Sequence, residues 1–165
     1  MLDGNAQELT GLHVLMKCSL LDTKQIQCAW LINAVEKRVE AGITATDKSS
    51  SGYILSTLSG ISICALLKAF ADPKSIRMSS EAGFHWNGKI YKCVRADDKA
   101  IYCREYSTDA ASQVGGLVAV RCTLSHTKPS ESPILVSSYA TGSLAGVVVE
   151  ATEKFADYLA LKRSQ

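Results

Sequence analysis

The stretch at residues 83–106, GFHWNGKIYKCVRADDKAIYCREY, decides how the rest of the chain is read. Asn87-Gly88 is the residue pair that best tolerates the two positive φ angles of a type I′ hairpin turn, and aromatic and β-branched residues crowd both flanks. Residues 83–86 and 89–96 therefore read as paired antiparallel strands. A second turn at Asp97-Asp98-Lys99 returns the chain as residues 100–106 and completes a three-stranded meander. A three-residue turn pairs Ala96 with Ala100. Counting outward then sets Cys93 opposite Cys103 and Lys92 opposite Arg104, with the two thiols close neighbours on one face of the sheet.

Working back from the meander, Ile63, Leu66, Leu67 and Phe70 recur at i, i+3, i+4 and i+7, which predicts a helix over residues 60–70 packed on a sheet, with Ser59 as N-cap. Asp72-Pro73 stops it, because the residue before proline disfavours the α region. Residues 53–58 read as a strand and residues 46–51, TDKSSS, as the clearest loop. The apolar run Cys28-Ala29-Trp30-Leu31-Ile32, within residues 25–35, predicts a central strand covered on both sides, and residues 39–44 its antiparallel neighbour. At the N-terminal end, Leu9, Leu12, Met16 and Leu20 share one face of a helix predicted over residues 4–21, with Gly11 its weak point.

Forward of the meander come a polar loop (107–113), an apolar strand (114–124), a loop containing Pro129 (126–132) and a strand at 134–139. The last element is a helix over residues 146–161, with Val148, Ala151, Phe155, Tyr158 and Leu159 on one side. Strands that follow one another through short turns make an antiparallel sheet, so the class is α+β.

The composition, 165 residues of which 47% are hydrophobic and 21% charged, suits one globular domain over residues 1–165. A net charge of +2 is too mild for a nucleic-acid binder. No run reaches the roughly 18 apolar residues of a membrane span, and no basic region precedes an apolar one at the start of the chain, so a cytosolic protein is expected. The six cysteines contain no CxxC pair and the three histidines are scattered among them, so metal-ligand spacing is absent and the cysteines read as buried free thiols. No GxSxG elbow frames a serine, and Gly115-Gly116 lacks the spacing of a phosphate loop. The paired carboxylates Asp97-Asp98 read as solvated turn residues. No enzyme reading, cofactor or metal emerges, which leaves a binding protein.

The turn pattern Gly-aromatic-x-x-x-Gly-Lys followed by YKCVRADD resembles the central hairpin of the profilins, in particular their divergent testis-type branch. The resemblance runs from about Leu12 to the C-terminus, is strong again in VEATEKFADYL, and leaves residues 1–11 as an N-terminal extension. It implies a central antiparallel sheet of about six to seven strands, with the terminal helices together on one face and a middle helix on the other. It also implies three ligands: monomeric actin, proline-rich segments and phosphoinositides, in a cytoplasmic, cytoskeleton-associated setting.

Carried over position by position, the resemblance divides these ligands. Polyproline docking needs aromatic rings with donors in a groove between the terminal helices. His13 and Met16 stand where profilins carry a tryptophan and a tyrosine, and only Tyr158 remains, so weak or absent binding of proline-rich proteins is implied. For actin, Arg95 and Gly146 match positions of the binding face, whereas Glu150 and Lys154 carry each other's expected charge. Opposed like charges weaken an interface, although a solvated i, i+4 pair explains the same two residues. Lys89, Lys92, Arg95 and Arg104 form a candidate patch for anionic lipid. The alternative is an adaptor that keeps the profilin scaffold and binds another protein without binding actin.

Overall fold

Three strands are apolar on both faces, and they set the architecture. The computed structural model describes residues 11–46, 49–54, 58–78, 84–106, 114–123 and 128–163. Within it β1 (Cys28–Asn33), β7 (Gly116–Arg121) and β8 (Ile134–Tyr139) each bury their first five residues without a break. Such strands require cover above and below.

The remaining strands are β2 (Arg38–Thr46), β3 (Ser49–Ile54), β4 (Phe84–Trp86), β5 (Lys89–Ala96) and β6 (Ala100–Glu105). All pair antiparallel in one eight-stranded sheet of order β3-β2-β1-β8-β7-β6-β5-β4. One face carries α1 (Gly11–Ser19) and α4 (Ala145–Arg163), whose Met16, Val148, Phe155 and Leu159, with Leu20 just beyond α1, pack on Leu31, Ile43, Val118 and Leu135. The opposite face carries α2 (Gly60–Ala71) and the short α3 (Pro73–Met78), with Ile63, Leu66 and Phe70 over Trp30, Ile101, Leu117 and Val136. Trp30 and Trp86 meet edge to face, ring centroids 5.5 Å apart, a contact that adds about 1 kcal/mol to area burial. This is the α+β arrangement expected from the resemblance, with terminal helices on one face and the middle helix on the other.

Several boundaries differ from expectation, each for a local reason. The sheet has eight strands, where the resemblance implied about six to seven, and β3 begins inside the expected loop at 46–51: β2 continues to Thr46, Thr46 pairs with Ser49, and Tyr53 pairs with Thr44. Strand β3 is set by its pairing with β2 and not by the loop-like look of its serines. Residues 55–57 of the strand expected at 53–58 lie outside the described residues. The first helix is described from Gly11 and ends at Ser19, not at residue 21; Leu21–Thr23 form a 3-10 turn instead, in which the Thr23 hydroxyl bonds the Leu20 carbonyl at 2.6 Å and which Lys24 closes, left-handed at φ 63°. Residues 4–10 of that expected helix, and all but Gly11 of the expected extension, lie outside the described residues. Pro73 does more than stop α2. It opens α3, where its fixed φ and missing N–H are no handicap in a first turn. Ser59 caps α2 as expected, accepting from the Ile61 N–H at 3.2 Å.

The meander forms as read, with one revision. Asn87 and Gly88 have φ 49° and 80°, the signs a type I′ turn demands. Cys93 does face Cys103 and Lys92 faces Arg104, but Ala96 pairs with Ile101, not Ala100. The Asp97 carboxylate accepts from the N–H groups of Lys99 and Ala100 at 2.8 Å each and tightens the turn. A bulge between Cys93 and Arg95 supplies the compensating residue, Val94, so the two one-residue differences cancel.

Gly115-Gly116, with no phosphate to hold, has a steric purpose. A Cβ on Gly115 would stand 2.1 Å from the Tyr139 carbonyl oxygen, and one on Gly116 would stand 2.3 Å from the Tyr139 hydroxyl. The first clash is with backbone, which cannot swing aside. Gly115→Ala should therefore destabilise the protein by about 1–3 kcal/mol, as overpacking does, read as a lowered urea midpoint with unchanged slope.

Candidate functional site

The α1/α4 layer stops short of one end of the sheet. Helix α4 packs over β7 and β8, and α1 over β2; Ala100 and Tyr102 of β6 still reach the α4 core, and beyond them the same face of β5 and β4 and the Arg104 end of β6 extend past the helices. Alternation puts Tyr102 and Arg104 on this face, since Ile101 and Cys103 join the α2-side core. Lys92 pairs with Arg104 and Arg95 with Tyr102, so they share it. Ile90 and the bulged Val94 are 41% and 69% exposed, so the surface is both apolar and basic.

Aromatic rings spread the cations out. The Lys92 Nζ lies 5.2 Å from the Tyr106 ring centroid, and the Arg95 guanidinium carbon 5.8 Å from that of Tyr102. This relieves the like-charge opposition of Lys92 and Arg104. The Tyr102 hydroxyl donates in turn to the Glu153 carboxylate, so β5, β6 and α4 are joined through one phenol. Burial, followed by the bond to Glu153, pushes the Tyr102 pKa up to about 12.

Of the four basic residues expected to form one patch, three are brought together and one is not. Lys89 lies on the α2 side with Tyr91 and pairs with Glu105 at 3.8 Å. One residue of strand offset sends a side chain to the other face.

A second surface is a groove of about 590 Å³ between the terminal helices. Leu15 and Ser19 of α1, with Thr23 beyond it, form one wall; Val147, Ala151, Phe155 and Tyr158 of α4 form the other. Glu150 and Lys154 stand on its rim, paired to each other at 2.8 Å and both well exposed. Tyr158 stacks on Phe155 at 5.9 Å, nearly parallel. Gly146 sits exposed in the first turn of α4, where an added Cβ would touch nothing.

His13 and Met16 are not groove residues. Both are buried beneath α1, Met16 completely. On a helix one residue is about 100°, so the outward position is Leu15, next to Met16. The apolar stripe already contained this signal: a residue that shares a face with Leu20 cannot also look outward. Tyr102, Glu153, Leu15 and Ser19 went unnoticed in the sequence because their roles depend on what α4 packs against.

A family model described as Profilin matches residues 12–163, nearly the whole chain. The chain belongs to the profilin family. Among its relatives, rat Profilin-4 is 30% identical over 154 residues, covering 93% of this chain and 98% of that one. The solved structure of Acanthamoeba castellanii profilin IA matches with a TM-score of 0.64 at 25% identity, covering 90% of this chain and 96% of that one. Mouse profilin IIa, solved in complex with a double repeat from the FH1 domain of mDia1, shares the fold at TM-score 0.63 and 12% identity, covering 93% and 99%. Profilins are binding proteins of the actin cytoskeleton, and this chain is an actin-regulating protein of that kind. Among the described residues no helix of this profilin is long and apolar enough to cross a membrane.

Buried and half-buried tyrosines give the fold an alkaline limit. Tyr91, raised by burial and then by Glu105, and Tyr102 both ionise above their ordinary value of 10.0. A folded pKa above the unfolded one stabilises fully below pH 10.0 and is lost as pH rises through the folded value, about 12 for Tyr102. Urea midpoints should fall over that window. Tyr102→Phe should flatten the fall and lower stability at neutral pH by about 1 kcal/mol, a bond to a charged group discounted for solvent.

Proposed function

We propose that this profilin regulates actin by binding monomers through the exposed face of β4–β6 together with the first turns of α4. One observation carries the reading: the stretch of sheet that extends past α4 presents Ile90, Val94 and Tyr106 among Lys92, Arg95 and Arg104. Apolar anchors within a charged frame suit a protein interface. Gly146 in the first turn of α4, where an added Cβ would touch nothing, allows close approach of a partner's backbone. Binding is weakened relative to other profilins because Glu150 and Lys154 oppose like charges on the partner. The setting is the cytoplasm and its cytoskeleton.

Two further ligands follow from the same surfaces. The trio Lys92, Arg95 and Arg104 attracts the phosphate groups of phosphoinositides, with Lys89 excluded by its position on the other face. In the groove Tyr158 is the one aromatic with a hydroxyl donor, and Leu15 offers a polyproline helix no hydrogen bond, so proline-rich segments bind weakly or not at all, unlike the mouse relative with its FH1 repeat. An adaptor working through the same scaffold without actin is the second reading, favoured by the intact ion pair Glu150–Lys154 at 2.8 Å.

A pyrene-actin assembly assay decides between them. Dose-dependent suppression of spontaneous nucleation is expected, and no effect at tens of micromolar protein would leave the adaptor reading. Arg95→Glu should weaken actin binding roughly tenfold, about 1.4 kcal/mol. The double change Glu150→Lys with Lys154→Glu should strengthen it, while the reversed helical pair changes stability by only tenths of a kcal/mol. Retention on a poly-L-proline column that survives moderate urea would refute the groove reading.

A further inference from the structure

The hairpin core holds two cysteine thiols that the binding surfaces do not use. Cys93 of β5 and Cys103 of β6 are directly paired in register and belong to the same core on the α2 side. Cys103 is 4% exposed, while Cys93 is only partly buried. Directly opposed strand residues have Cα atoms roughly 4.5–5.5 Å apart, within the roughly 4.4–6.8 Å that a disulfide spans. Only the Cβ atoms must close, by about 1 Å. The bulge at Val94 adjoins Cys93 and gives β5 the slack to do so. The other cysteines are placed differently: Cys18 and Cys64 are exposed on helices, Cys122 lies in the opposite core, and Cys28 is bonded to the Thr44 hydroxyl at 3.1 Å.

We propose that Cys93 and Cys103 are a peroxide-sensitive dithiol whose closure to a disulfide alters the exposed face of β5 and β6. The partly exposed Cys93 thiolate attacks one oxygen of hydrogen peroxide; the O–O bond breaks, giving Cys93 sulfenic acid and a hydroxide that leaves as water. The Cys103 sulfur then attacks the sulfenic sulfur. The S–S bond forms, the S–O bond breaks, and the departing hydroxide takes the Cys103 proton as a second water. Two thiols and one peroxide yield one disulfide and two waters, the sulfurs losing two electrons that the peroxide gains. The bond to Cys93 and burial hold the Cys103 thiol well above its ordinary pKa, which argues against Cys103 as the thiol that attacks peroxide first.

The consequence reaches the other face because the next rung of the ladder is Lys92 with Arg104, and Arg95 with Tyr102 follows the bulge. Drawing the strands together between them changes the spacing of all four side chains. That this tunes actin binding rests on the function proposed above; the dithiol itself does not.

The test uses the full chain carrying Cys18→Ser and Cys64→Ser, which removes the exposed thiols. Treated folded with hydrogen peroxide, it should lose the mass of two hydrogen atoms, show a peptide linking residues 93 and 103, and recover on reduction. Cys93→Ala should abolish the link. Cys103→Ala should leave a trappable sulfenic acid on Cys93, and if that variant misfolds the peptide link in the parent still decides. Oxidation of Cys93 to sulfinic acid with Cys103 present, or no 93–103 link, would overturn the proposal. Hydrogen exchange over residues 89–105 reads the coupling without a partner: changed protection on closure supports it, and identical exchange refutes it. Oxidised and reduced protein should then differ at least threefold in the pyrene-actin assay. If neither form affects actin while the link and the exchange change are present, the actin reading fails and the dithiol stands.

Discussion

Burial of the central strands on both faces is the constraint from which the rest follows. Strands β1, β7 and β8 have no polar side to turn to water, so the chain must supply a helical layer above and another below. The terminal helices furnish one layer and the middle segment the other. Thr152 fastens the first layer, its buried hydroxyl bonded to Ser137 of β8 at 2.9 Å and to the Val148 carbonyl at 2.7 Å. At the α4 N-terminus the Gln25 side chain accepts from the Leu144 N–H at 2.7 Å, a bond spanning most of the chain's length. A buried polar pair such as Thr152 with Ser137 adds little net energy, but leaving one member unpaired is expensive. Such a pair therefore specifies where α4 lies more than it stabilises it.

That placement creates the candidate site by omission. Two helices are not wide enough to cover eight strands, and on their side the sheet beyond Ala100 and Tyr102 extends past them, whereas α2 and α3 lie against β4 and β5 from beneath. This part of the sheet can be exposed because its outward residues are long cations over aromatic rings, with apolar positions kept apart. The Val94 bulge contributes twice: it turns the strand so that Cys93 and Ala96, three apart, both reach the α2-side core, and it sets Arg95 over Tyr102.

Much of this was legible along the chain. Asn87-Gly88 announced the hairpin because few other pairs accept two positive φ angles, and the i, i+3, i+4, i+7 stripe of α2 announced a helix on a sheet. The opposed cysteines followed by counting. The count was right through cancellation, since neither the carboxylate-tightened turn nor the bulge leaves a mark in a list of residues. The groove was misread for a different reason. His13 and Met16 were matched by position in a pattern, whereas the helical period requires Met16 to turn inward with Leu20, leaving Leu15 outside. Serines 49–51 looked like a loop because propensity is local, and an edge strand is defined by the neighbour it pairs with.

By itself the sequence determined the local conformations and the class: two-residue turns, strand alternation, helical stripes and the balance of apolar to charged residues depend on neighbours a few positions away. From those alone an antiparallel sheet with helices follows, as does a chain without catalytic spacing. Only the tertiary structure decided which of four basic side chains share a face, that Tyr102 ties the sheet to α4 through Glu153, and that Gly115-Gly116 make room for Tyr139. Each of these joins residues far apart in the chain, and their contact is set by how the layers stack, which no short stretch encodes.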